Sequence, residues 1–245
     1  MKGRTFIAGC ALALALLVFA QRHQDAVQPL EFRGVVDLSH SLEFPTNSGK
    51  DGNFARAGTL PGHFETQLDA PAEFSRGLWT VDQIPAERLL APLVVLDVTA
   101  ETRANPDYQV SLEDIAKWER INGTLPLNSV VITHTGWDAR WSSVRDYRNA
   151  DAKGVMHFPG YSEDAAKFLV EARNTLGLGI DTLSIDYGPS QDFPVHRYTQ
   201  AHSLYQLENV ANLDHAPSRG GIVMVAPAKL EGGLDAPVRI LALVR

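Results

Sequence analysis

The sequence predicts an α/β fold: a single domain built on a mixed β-sheet with flanking helices. Short apolar, β-branched runs alternate with helical patterns from Gly34 to the carboxy terminus, the arrangement of a mixed α/β domain. Several of these runs are apolar throughout, as strands buried on both faces are. No change in composition after residue 21 marks a domain boundary. A chain of 245 residues can bury a substantial core, and 44% hydrophobic with 21% charged residues excludes disorder and fibrous repeats.

The first twenty residues differ from the rest. Lys2 and Arg4 precede the apolar run from Phe6 to Phe19, and Val18-Phe19-Ala20 offers small residues near a cleavage point before Gln21, a signal-peptide pattern. The apolar run, roughly 14 residues, is shorter than the about 20 needed to cross a bilayer. The expectation is a signal peptide at 1–20 and a mature domain at 21–245, exported to the periplasm or beyond, with no stable membrane insertion after cleavage. Cys10, the sole cysteine, follows Ile7-Ala8-Gly9 in the manner of a lipoprotein box. Too few apolar residues precede it, and the apolar run continues past it, which suits cleavage near Ala20 better. The mature body then has no disulfide and depends on its core. Loss of Lys2 and Arg4 takes the net charge from -7 to -9. With no block of Lys and Arg to neutralise phosphates, nucleic acid is excluded as a partner.

Strands are expected at 34–38, 93–98, 129–133, 182–186, 222–226 and 238–244, each short and rich in β-branched or aliphatic residues. Ser111 caps a helix running to about Arg120. Ser162 caps a longer one with Glu163 and Asp164 in its first turn. Ala165, Phe168, Leu169, Ala172 and Leu176 give that helix its apolar stripe, and Gly177 is its expected stop. The stretches 45–62 and 156–160 read as loops.

Chemistry concentrates in HFETQLDAPAEF, residues 63–74, where His63, Gln67, Asp69 and Glu73 are separated by even intervals. Even spacing on an extended segment places side chains on one face, whereas a helix would split them and Pro71 would interrupt it. A flat strand would hold His63 and Asp69 roughly 20 Å apart, too far to share one ion, so a shared metal requires a bend. Pro71 is placed to contribute to one on the Asp69 side. The spacing alone carries no function.

This stretch resembles the cyclase family, which includes kynurenine formamidases and isatin hydrolases, with the signature His-x-Gly-Thr-His-x-Asp-x-Pro-x-His followed by Phe. His63, Thr66, Asp69, Pro71 and Phe74 match it, while Glu65, Gln67 and Glu73 replace a glycine and two histidines. Later segments continue the resemblance: GLWTVDQIPAERLLAPLVVLDV, VVITHTGWD, PGYSEDAAKFLVE, GIDTLSIDYG, DFPVHR, LENVANL and APVRILALV. It spans nearly all of 34–245. The resemblance implies metal ligation at His63, Gln67 and Asp69. It places Glu73 where a histidine acts as general base, and it implies a downstream pair at His196 and Glu208 that completes the site.

Gln67 retains a carbonyl oxygen and Glu73 a carboxylate, so the implied donor set is rich in hard oxygens. That shifts the expected divalent ion from zinc towards manganese, with magnesium and zinc also compatible. The resemblance implies a metal-dependent hydrolase of an amide or cyclic amide, arylformamidase-like or isatin hydrolase-like. Its substrate would be a small molecule and its assembly a homo-oligomer. The alternative is an exported metal- or small-molecule-binding pseudo-enzyme on the same fold. No G-x-S-x-G elbow is present and Ser162 reads as a helix cap, which excludes a serine hydrolase. His134, His157, His202 and His215 read as ordinary polar residues, with His202 the best placed of them to support the site. His40 lies near the end of the first strand. Trp79, Trp137 and Tyr161 suit either an aromatic pocket or plain core.

Overall fold

The computed structural model describes residues 31–41 and 65–244. The expected signal peptide, the loop expected at 45–62, and His63 lie outside the described residues. The chain divides into a unit Met1–Phe32 and a unit Arg33–Arg245, and the fold is that of the second.

Among the described residues ten strands run in chain order: β1 Gly34–Asp37, β2 Gln67–Asp69, β3 Leu90–Asp97, β4 Gln109–Val110, β5 Val130–His134, β6 Gly160–Tyr161, β7 Gly177–Ile180, β8 Tyr205–Glu208, β9 Ile222–Pro227 and β10 Asp235–Val244. Between them lie helices α1 Thr99–Ala104, α2 Leu112–Asn122, α3 Val144–Arg148, α4 Glu163–Arg173 and α5 Pro194–Ala201. Strands β3, β5, β7 and β8 pair in parallel, and β2, β10 and β9 continue antiparallel until β9 meets β3. Seven strands therefore close into a mixed barrel, with β1 added along the carboxy-terminal half of β10.

Closure explains the uniformly apolar strands. Leu93 and Val95 of β3 and Val130 and Ile132 of β5 join one buried cluster, with Leu68, Leu207, Val223, Val225, Val238 and Ile240. Their neighbours Val94, Leu96 and Val131 join a second cluster with Ile115 and Trp118 of α2 and Ala165, Ala166 and Leu169 of α4. Alternate residues thus fill the barrel and support the helices outside it. Arg173 Nε and Nη2 grip the two oxygens of Glu119 at 2.7 and 2.8 Å, tying α4 to α2.

Ser111 and Ser162 cap α2 and α4 as expected, each accepting from the backbone three residues on. Two expectations fail between 174 and 186. Helix α4 stops at Asn174, which adopts a left-handed φ of 48°, and Gly177 instead opens β7. The strand expected at 182–186 is absent; it lies at Gly177–Ile180. Two glycines weakened that reading, yet both are needed in β7. A Cβ at Gly177 would run into the Tyr205 ring, and one at Gly179 would press within 3.2 Å of Leu207. Beyond Ile180 the chain bends, because Thr182 Oγ1 donates to Pro159 O and Ser184 O rather than leaving its segment to a ladder.

Gly160 lets this bend lie close. A Cβ there would collide with Tyr187 N and the Asp186 and Ile185 carbonyl groups, all rigid backbone. Gly160→Ala should cost about 1–3 kcal/mol and lower Tm, measured by calorimetry, because neither chain can yield without breaking the Tyr161 N to Ile185 O hydrogen bond.

His40 stacks on Trp141 at 3.8 Å, and Trp141 meets Tyr147 edge-on. Burial pushes the His40 pKa from 6.5 down to about 4, against a weaker opposing pull from Asp138. The unfolded chain then binds a proton that the folded chain refuses between those values. The stability involved is present above pH 6.5 and lost as pH falls towards 4. After discounting for partial exposure it amounts to about 1–2 kcal/mol. Urea midpoints of His40→Phe, which keeps the ring stack, should fall less across this window than those of the parent protein.

Candidate active site

Two antiparallel strands set the floor of the site. In β2 the period of two sends Leu68 into the barrel and turns Gln67 and Asp69 outward, and in β8 it does the same with Leu207 and Glu208. The register pairs Gln67 with Glu208 and Asp69 with Gln206. Directly opposed side chains lie close enough to bond. Gln67 Nε2 donates to Glu208 Oε2 and to Asp69 Oδ1, each at 3.0 Å. Asn209, in a left-handed conformation with φ 53°, locks the ends of both strands. Its Nδ2 donates to Glu65 O at 2.8 Å, its Oδ1 accepts from Tyr147 Oη, and its carbonyl accepts from Thr66 Oγ1.

The bend required on the Asp69 side is present. Glu73 N donates to Ala70 O and Ser75 N to Pro71 O, so the chain turns at once and brings Glu73 back over the strand. Gln200, fully buried, fixes the result: its Oε1 accepts from Phe74 N at 2.6 Å and its Nε2 donates to Glu73 Oε2 at 2.9 Å. Burial first, and Asp69 second, raise the Glu73 pKa to about 7, with the Gln200 bond opposing.

Helix α5 supplies the imidazole. Phe193 precedes it with a left-handed φ of 49° and no capping side chain, and Pro194 occupies the first helical position. Asp186 does the capping from outside: Oδ1 accepts Val195 N at 3.0 Å and Oδ2 accepts His196 N at 3.0 Å. These are helix-start amides that an N-cap side chain would ordinarily take. Oδ2 also accepts from His196 Nδ1 at 2.7 Å. That fixes the Nδ1 proton and points Nε2 at Glu208 Oε1, 3.2 Å away, and Asp69 Oδ2, 3.9 Å away. Desolvation opposes charge on His196, but Asp186, Asp69 and Glu208 together raise its pKa well above 6.5. Burial likewise raises Glu208.

Asp69, Glu73 and His196 each present a ligand atom within 4.8 Å of the others. With Asp186 and Glu208, four carboxylates surround one imidazole, nearly all of them buried. Such a surplus of desolvated negative charge, with His196 Nε2 turned to the same point, fits a divalent cation. His134, Asp138 and Asp181 form another such group, but both oxygens of Asp181 already accept from Thr135 and Trp137. The carboxylate cluster opens into a cavity of about 720 Å³ walled by Phe74, Met156, Phe158, Tyr187 and Phe193, with Arg148 also in its lining.

The family model described as Putative cyclase matches residues 36–187. The chain is 33% identical over 195 residues to an isatin hydrolase of Roseibium aggregatum, covering 76% of this chain and 73% of that protein. The chain belongs to the cyclase family. A kynurenine formamidase of Polaromonas naphthalenivorans is 26% identical over 210 residues, 86% of this chain and 83% of the relative. Among solved structures, isatin hydrolase A from Ralstonia solanacearum superposes with a TM-score of 0.79 at 29% identity, over 100% of this chain and 99% of that one. The chain's homologues named isatin hydrolase and kynurenine formamidase are amidohydrolases, acting on C–N bonds other than peptide bonds.

Of the residues singled out in the sequence, the structure brings Gln67, Asp69, Glu73, His196 and Glu208 together; His63 lies outside the described residues. His202 is exposed, at the far end of α5, with Nδ1 on Tyr198 O. Trp137 and Tyr161 are buried core, and Trp79 packs against it. Sequence reasoning missed Asp186, Gln200 and Asn209. Asp186 stood in a segment read as strand, and the αL conformation of Asn209 has no local signature beyond its residue type.

In this cyclase-family site Asp186→Ala should leave His196 free to rotate, and activity and metal affinity should each fall about 10–100-fold. Asp186→Asn, which keeps one acceptor oxygen, should fall between. Steady-state kinetics and metal titration of the two variants check this, and unchanged values in Asp186→Ala would remove the role.

Proposed function

We propose that the protein is an exported, metal-dependent hydrolase of a small aromatic amide, either cyclic in the manner of isatin or an aryl formamide. One observation carries this reading: Asp69, Glu73 and His196 cluster in the lining of a cavity to which Phe74, Phe158, Tyr187 and Phe193 also contribute. An aryl ring suits such walls, and a carbonyl at its edge would then face the charged end. The relatives' names, isatin hydrolase and kynurenine formamidase, support the same substrate class.

Asp69 and His196, with Glu73 or Glu208, would hold a divalent ion, manganese best suited to one imidazole among oxygens. When bound, such an ion polarises a carbonyl and acidifies water. Glu73 handles the proton. Gln200 holds its Oε2, Glu73 lines the cavity, and a carboxylate poised near pH 7 can both take a proton from water and return it to the departing nitrogen. Phe74 and Phe193 flank the His196 ring at 5.2 and 5.8 Å and exclude water from its faces. His196, oriented by Asp186, keeps Nε2 at the charged end.

The purified protein should hydrolyse members of a panel of isatin, N-formylkynurenine and formanilide, lose activity in EDTA and regain it with Mn²⁺. Bound metal without turnover across the panel would favour the binding-protein alternative. Glu73→Gln should lower kcat by about 10²–10⁴-fold with metal content retained. Loss of metal in that variant would make Glu73 a ligand instead, and full activity would remove both roles.

A further inference from the structure

Two buried carboxylates, Asp69 on β2 and Glu208 diagonally across from it on β8, reach towards the same two neighbours. Asp69 turns Oδ2 towards His196 Nε2, at 3.9 Å, and Oδ1 towards Gln67 Nε2, at 3.0 Å. Glu208 turns Oε1 towards His196 Nε2, at 3.2 Å, and Oε2 towards Gln67 Nε2, at 3.0 Å. Both side chains therefore bridge the same two places, one beside His196 and one at the Gln67 amide. Carboxylates that bridge in this way suit a pair of cations about 3.5–4 Å apart.

The second place is filled by protein. Ionised carboxylates only accept, so the Gln67 amide must present its NH₂ group to Asp69 and Glu208 and not its carbonyl. That group has two hydrogens for two inner oxygens. Its nitrogen lone pair is delocalised into the amide and has nothing to give a metal, and a cation set between the two carboxylates would meet N–H hydrogens. A histidine at this position would offer a lone pair; glutamine supplies partial positive charge of its own.

We infer that the Gln67 amide stands in for a second cation, so that the chain binds one divalent ion only, on the His196 side, and Gln67 is not its ligand. Asp69 Oδ2, Glu208 Oε1 and His196 Nε2 hold that ion, with Glu73 in reach. The inference rests on the metal-dependent reading above and goes beyond it by fixing the number and place of the ions.

Mn²⁺ binding to the purified protein tests it without reference to activity. Calorimetric titration and elemental analysis should give one ion per chain, and electron paramagnetic resonance should show the hyperfine pattern of an isolated Mn²⁺. His196→Ala should weaken binding by at least about a hundredfold, more than loss of an outer partner does. Gln67→His should take up a second ion and give the broadened, exchange-coupled spectrum of a close pair. Two ions per chain in the parent protein would overturn the inference while leaving the metal-dependent reading intact, as would retention of the ion at full affinity in His196→Ala. No Mn²⁺ binding at all would remove both. If Gln67→His fails to fold, the parent stoichiometry and the His196→Ala affinity still decide the matter.

Discussion

The pairing of Gln67 with Glu208 across β2 and β8 is the constraint on which the site depends. A slip of one residue would turn Gln67, Asp69 and Glu208 into the barrel and expel Leu68 and Leu207, exchanging buried apolar contacts for buried charge. The core therefore enforces the register, and the register places the carboxylates. Asn209 then fixes the strands' ends against Glu65, Thr66 and Tyr147, so the hydrogen bonds that hold this geometry extend well beyond the residues that face the cavity.

Around that floor, each reactive group is held by a residue that does not itself face a substrate carbonyl. Asp186 satisfies the start of α5 and orients His196 with the same carboxylate, and Gln200 anchors the turn at Phe74 while binding Glu73. Because one side chain serves both backbone and catalytic group, movement of the helix start or of the turn would carry the chemistry with it. The site is consequently as rigid as the backbone around it, a condition for aligning water, carbonyl and proton acceptor.

How much of this could be read beforehand differs by residue. The strands expected at 93–98 and 238–244 announced themselves through β-branched and aliphatic residues, buried on both faces from Leu93 to Leu96, and Ser111 and Ser162 announced helices through local capping. The strand at Gly177–Ile180 did not, because close approach to Tyr205 and Leu207 demands glycines, and that requirement comes from neighbours distant in sequence. Asp69, His196 and Glu208 were legible through resemblance to a family. Their mutual geometry was not, since the bend at Ala70 to Ser75 and the αL residues Phe193 and Asn209 are set by tertiary contacts. Asp186 was hidden by a mistaken strand, although an acidic residue ten positions before a histidine of interest has no spacing rule to reveal it.

Four carboxylates around one imidazole would be a poor arrangement for a protein selected for stability alone, since desolvated like charges repel, and burial raises the pKa of Glu73 and of Glu208. Here the repulsion is partly offset from within. Gln67 lends two N–H groups to Asp69 and Glu208, Gln200 lends one to Glu73, and the α5 amides with His196 neutralise much of Asp186. The outer oxygens of Asp69 and Glu208 meet His196 Nε2, Glu208 Oε1 accepts from Ile185 N as well at 3.3 Å, and Glu73 joins them in lining the cavity. The fold thus gathers these carboxylates and one imidazole beside the space where an ion and a polarised carbonyl would meet.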